Sequence, residues 1–168
     1  MPLIIPSVDL NTGKIYCFCS KVIRAKVSNE IIYINDIRPG KAVQASCSYP
    51  IIFSPCTYKK AQLIDGGLRE NIPWKETKKM GAEKVISVIF EKEIGDKCCD
   101  NMLEVVNNSL DIVMAELSNY EIEGADYVIE IKSNGTKLLD MKKIDELYEI
   151  GYKTTKKNMG EILKLIKE

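Results

Sequence analysis

Two β-branched runs bracketing a helix-period stripe constrain this chain most. Lys84 to Phe90 reads Lys-Val-Ile-Ser-Val-Ile-Phe, a nearly continuous hydrophobic run typical of a buried parallel strand. Asp126 to Lys132 is a second such segment. Between them Leu103, Val106, Leu110, Val113 and Leu117 recur at three and four residues. That spacing predicts one apolar helix stripe, assigned to the core. A final helix is expected from about Asp140, with Ile144, Leu147, Tyr148, Gly151, Thr155, Met159, Ile162 and Ile166 on one side. Strands alternating with helices imply right-handed crossovers onto a mostly parallel sheet, an α/β class.

The first half carries shorter elements. Leu3–Leu10 and Lys14–Cys19 flank Asn11-Thr12-Gly13 and predict a hairpin with a bulged turn. Glu30–Ile34 is a β-rich piece, and Gly40–Ser48 is rich in small residues and ends before Pro50. Gln62–Ile64 is a short strand running into Asp65-Gly66-Gly67, and Pro73–Met80 is a helix stopped by Gly81. With 168 residues, no repeat and no low-complexity linker, residues 1–168 read as part of a single domain.

Charge and composition remove several functions. Lys plus Arg equals Asp plus Glu at 24 each, which argues against nucleic acid as a partner. The block Lys153-Thr154-Thr155-Lys156-Lys157 spreads round a helix and reads as a solvated face. There is no histidine. No Ser-His-Asp triad, Cys-His pair or histidine metal site can therefore be completed within the chain. The six cysteines do not form paired CxxC knuckles, so reduced thiols in a cytoplasmic protein are expected, with no metal and no cofactor. The sequons at Asn107 and Asn134 mean nothing without a secretory route. No apolar run approaches a membrane span, and Met1–Pro6 does not read as a signal peptide.

The chemistry centres on Gln62-Leu63-Ile64-Asp65-Gly66-Gly67-Leu68-Arg69-Glu70-Asn71-Ile72-Pro73. A carboxylate stands at the carboxyl end of a strand, where open α/β sheets place ligand sites. Two glycines follow, which let the backbone turn and another group approach. On spacing alone a D-G-G turn is more often a plain turn than a site.

Four blocks in order resemble the patatin-like phospholipases, lipid acyl hydrolases with a Ser-Asp dyad. Ile5–Gly13 is similar to the family's A-T-D-L-x-T-G hairpin, and Ala42–Pro50 to its A-x-x-A-S-x-x-x-P helix. Asp65-Gly66-Gly67 with Asn71 and Pro73, then Gly81–Ile86, resembles D-G-G-x-x-x-N-x-P followed by G-A-D-x-V-I. Gly124–Ile129 and the helix with Gly151-Tyr152 resemble the closing portion. The family's G-x-S-x-G elbow and glycine-rich oxyanion loop have no counterpart here. The chain thus resembles the carboxyl-terminal part of a three-layer patatin-like sandwich, with helices on both faces of a mostly parallel sheet.

The resemblance implies that Asp65 is the dyad base, which takes the serine's proton. It implies that the serine lies outside this chain and that the chain alone is inactive. Gly66 and Gly67 would keep bulk away from the serine, and Asn71 would brace the loop through backbone hydrogen bonds. Tyr49, Ile51 and Phe53 are candidate acyl contacts, though core packing is the commoner fate of such residues. Ser46, Cys47 and Ser48 lack an elbow and a base. Ser7 and Asp9 share a strand face, but Asp9 beside Asn11-Thr12-Gly13 more often caps a turn. Trp74 is equally a helix-start anchor or a lipid contact.

The expected function is lipid or carboxylic-ester hydrolysis by the parent domain, in the cytoplasm and peripheral at membranes. The alternatives are a non-catalytic binding or regulatory remnant, and a structural α/β subunit with a coincidental loop. A sheet without its neighbours exposes an edge and apolar surface. Self-association is therefore expected, by pairing of edges or exchange of elements, unless the hairpin and helices refold over the gap.

Overall fold

The computed structural model describes residues 1–23, 29–91, 98–132, 136 and 140–167. The sequon asparagine Asn134 lies outside them.

The hairpin forms as expected. Strands β1 (Ile4–Asp9) and β2 (Ile15–Cys19) pair antiparallel, and the turn closes at Gly13 with φ +71°. Strand β3 (Ile31–Ile34) runs parallel to β2. Helix α1 (Pro39–Ser46) starts at proline and carries the small residues Ala42 and Ala45 into the core. Strand β4 (Cys56–Tyr58), which the sequence reading missed, pairs antiparallel with β5 (Ala61–Asp65). Strand β5 pairs antiparallel with β1, placing Asp65 opposite Ser7. Helix α2 (Trp74–Lys79) ends before Gly81, whose φ is +100°.

The order of the five-stranded sheet is β3-β2-β1-β5-β4. Only β2–β3 is parallel, so the expected mostly parallel sheet is corrected to a mixed one. The reason is local: short turns join β1 to β2 and β4 to β5, and short turns can connect only antiparallel neighbours.

Each face of this sheet has its own core. Phe18, Cys56, Ala61 and Leu63 pack under Ala42 and Ala45 of α1. On the other side Ile15, Cys17 and Cys19 meet Tyr33 and Met80, just past α2. Small alanines let α1 approach the sheet closely.

The second half forms a separate two-stranded parallel sheet of β6 (Ile86–Glu91) and β7 (Tyr127–Lys132). Helices α3 (Met102–Ile122) and α4 (Ile144–Lys167) flank its strands in the chain. Ile162 of α4 packs on Ile129 and Ile131, and the Tyr127 hydroxyl donates to Asn158 at 2.8 Å. In the parallel register Ile86, Val88 and Phe90 lie beside Tyr127, Ile129 and Ile131. Helix α4 covers only the β7 side, leaving Val88 57% and Phe90 60% exposed. The expected burial of this strand on both faces is thereby corrected.

The predicted core stripe of α3 is corrected too. Leu103 is 65% and Val113 61% exposed, whereas Met114 and Ser118 are buried. The stripe of α4 divides: Ile162 is buried and Leu147 and Gly151 are half-buried, while Ile144, Tyr148, Met159 and Ile166 stay exposed. Among the described residues no helix is long and apolar enough to cross a membrane.

A buried acidic cluster lies beneath the sheet. Glu76 is 1% exposed and accepts from the Tyr33 hydroxyl at 2.5 Å and Lys79 Nζ at 2.8 Å. Buried Glu70 lies against the Cys17 thiol, with Oε2 at 4.0 Å. Burial pushes its carboxyl up to about 7, with Glu76 and Glu121 adding repulsion and Lys79 and Lys75 opposing. The folded state therefore binds a proton that the unfolded chain releases near 4.5. Stability is present below that value and is lost as pH rises toward 7, by on the order of 3 kcal/mol. Melting temperature should fall from pH 5 to pH 7.5, and Glu70→Gln should flatten the slope. An unchanged slope in Glu70→Gln would assign the titration elsewhere.

Candidate active site

Strand β5 ends at Asp65, and the chain turns at once into the 3-10 turn Gly66–Leu68. Asp65 is the cap of that turn: its Oδ1 accepts from the Gly67 N–H at 2.8 Å. Its own N–H donates to the Ser48 carbonyl at 3.1 Å, tying the loop to the end of α1. Burial raises the carboxyl above its ordinary value and the Gly67 N–H partly offsets the rise. A carboxylate so placed is half-buried, oriented through one oxygen and more basic than in water, which is what a general base at neutral pH requires.

Both glycines are closely packed, Gly66 against backbone and Gly67 against side chains. A Cβ on Gly66 would run into the Pro6 carbonyl. One on Gly67 would lie 2.9 Å from both Asn71 Oδ1 and Met114 Cε. The Asn71 side chain meets another side chain: its Nδ2 donates to Ser118 Oγ at 2.7 Å. The expected backbone partner is corrected, because α3 passes close enough to supply a hydroxyl.

Helix α3 supplies a row that sequence reasoning missed. Asn107, Asp111, Met114, Ser118 and Glu121 recur at four and three residues on one face. Asp111 accepts from the Tyr49 hydroxyl at 3.1 Å and from Asn107 at 3.2 Å. Met114 abuts Gly67, and Glu121 accepts from the Ile72 N–H at 2.8 Å. A polar row at helix spacing was the available signal, but it was overshadowed by the apolar one beside it.

The remaining candidates separate. Tyr49 joins the cluster, and burial together with Asp111 pushes its hydroxyl up to about 12. Ile51 and Phe53 are 46% and 52% exposed, so the weighting toward core packing is corrected for them. The turn after Pro50 lifts them outward, with Ile51 at φ +72°. Ser7 is buried and donates to the Ile64 carbonyl at 2.7 Å. Asp9 caps the hairpin, accepting from Thr12 Oγ1 at 2.6 Å and the Gln62 N–H at 3.1 Å. Ser48 donates to the Gln44 carbonyl. Trp74 opens α2 and stacks on Gly124, leaving no room there for a Cβ.

A depression of ≈ 550 Å³ opens at the far end of β5, among Asp9, Tyr16, Ile34, Tyr58 and Lys59. It is remote from Asp65, and its carboxylate Asp9 is committed to the turn. Among the described residues no cluster of three His, Cys, Asp or Glu could hold a metal ion.

The site is a strand-end carboxylate on a glycine-glycine turn, held against helix α3. The family model of patatin-like phospholipase matches residues 6–78, from β1 into α2 and including Asp65 and both glycines. Over that stretch the chain is similar to a family of lipid acyl hydrolases.

Proposed function

We propose that this chain contributes the general base, Asp65, to a patatin-like lipid acyl hydrolase whose nucleophilic serine is supplied by a segment outside these residues. The observation that carries the reading is Asp65 itself: half-buried, oriented by Gly67, and inside the matched stretch. The serine would approach the Asp65 carboxylate, and its proton would pass to Asp65 as the oxygen attacks the acyl carbonyl. The other carboxylate oxygen, Oδ2, is the candidate acceptor. Exposed Ile51 and Phe53, near Tyr49, are suited to acyl-chain contact. The substrate class is a lipid or carboxylic ester, met in the cytoplasm at the periphery of membranes. The chain also self-associates, which covers apolar side chains left open to solvent. The later half of a three-layer sandwich is the architecture this reading assigns.

The purified chain should not hydrolyse p-nitrophenyl butyrate and should not react with a fluorophosphonate probe. Co-expressed with a patatin-family segment bearing G-x-S-x-G, it should gain turnover, with the label on that segment. A label on a serine of this chain would overturn the assignment. A complex that binds the ester without turnover would favour the non-catalytic remnant.

A further inference from the structure

The outer face of α3 is a seam. Leu103, Val106, Leu110, Val113, Leu117 and Tyr120 follow a strict three-four spacing through the helix. That spacing makes one apolar stripe along the helix, which a second amphipathic helix can cover. Much of the seam is uncovered: Tyr120 is 68% exposed, and Leu103 and Val113 nearly as much, while Leu110 and Leu117 are half-buried. It adjoins the polar row that grips the Asp65 loop, so α3 has one face engaged and one free.

Charge selects the helix that fits. No Lys or Arg occurs from Cys98 to Ile131, and Glu116 and Glu123 flank the seam on its solvent side. A second α3 would bring like charges together. Helix α4 has the opposite character. Ile144, Tyr148, Tyr152, Met159, Leu163 and Ile166 form an exposed apolar stripe on it. From Met141 to Lys167 it carries seven lysines against four carboxylates. Lys142, Lys156 and Lys167 flank the stripe and form no ion pair among the described residues.

We infer that two copies of this chain associate by packing the acidic seam of α3 in one copy against the basic stripe of α4 in the other, reciprocally about a two-fold axis. With the two contacts reciprocal about that axis, each copy uses both surfaces and the assembly closes at a dimer. The apolar stripes supply the burial, while the flanking charges set which helix pairs with which. The inference rests on the self-association proposed above and adds its surfaces.

Sedimentation of the full chain at micromolar to several hundred micromolar concentration tests it, with four proteins of unchanged melting temperature. The wild type should dimerise. Glu116→Lys/Glu123→Lys should weaken the dimer at least tenfold, and Lys156→Glu/Lys167→Glu should do the same. Mixing these two variants should restore a heterodimer, because both reciprocal contacts regain opposite charges. Val113→Asp, at an exposed position, should leave a monomer. A wild type that stays monomeric overturns both the self-association and its surfaces. A dimer weakened by the α3 variants but indifferent to the α4 variant overturns the surfaces alone and assigns α3 to a second α3.

Discussion

Asp65→Asn should lower ester turnover by two orders of magnitude or more once the chain is paired with a serine-bearing segment, while moving the melting temperature little. The amide keeps the size of the side chain, and its oxygen can still accept from the Gly67 N–H, so the turn keeps its cap. What disappears is the ability to take a proton, and a positioned general base is worth about 10²- to 10⁴-fold. Removing a half-buried carboxyl whose burial raises its proton affinity should not harm the fold. Turnover and melting on one preparation distinguish a base from a plain turn residue. Unchanged turnover with a loss of stability would return Asp65 to a purely structural role.

Gly66→Ala should cost about 3 kcal/mol, or on the order of 10 °C in melting temperature. Its Cβ would meet the Pro6 carbonyl, a backbone group of β1 that cannot rotate away. The β1–β5 pairing would have to part where Ser7 faces Asp65, so the loop should lose its register along with its stability. Gly160→Ala in α4 provides the contrast. Nothing lies within 4 Å of the added methyl, and alanine is the better helix former by about 1 kcal/mol. That variant should be neutral or slightly stabilising. Equal melting of the Gly66 variant and the wild type would show that the turn relaxes freely.

Much of this was legible before any tertiary contact was known. The hairpin over Asn11-Thr12-Gly13, the strand ending at Asp65, the stop at Gly81 and the strand–helix–strand order in the second half all follow from local rules: turn chemistry, β-branched runs and three-four spacing. So did the placing of Asp9 as a turn cap, because an Asx side chain two residues before a turn has few other partners.

The misses share one cause. Spacing shows that a helix has two faces but not which of them meets the rest of the molecule. In α3 the apolar row was assigned inward on hydrophobicity, whereas Asp111, Ser118 and Glu121 face inward because Tyr49, Asn71 and Ile72 present donors there. Strand direction was misread for a similar reason. The run of strands around Asp65 is joined by tight turns as well as by α1, so its sheet is mixed, while only β6 and β7 follow the helix-crossover rule.

By itself, then, the sequence determined the elements, the absence of histidine chemistry and the carboxylate at a strand end followed by two glycines. Those depend on residue identity and on neighbours a few positions away. Only the tertiary structure decided that Asp65 is half-buried and oriented by Gly67, that α3 braces its loop with polar side chains, and that apolar rows on β6, α3 and α4 stay open to solvent. Burial and hydrogen-bond partners arise between segments some fifty residues apart, such as Asn71 and Ser118, and no local pattern encodes which of them will meet.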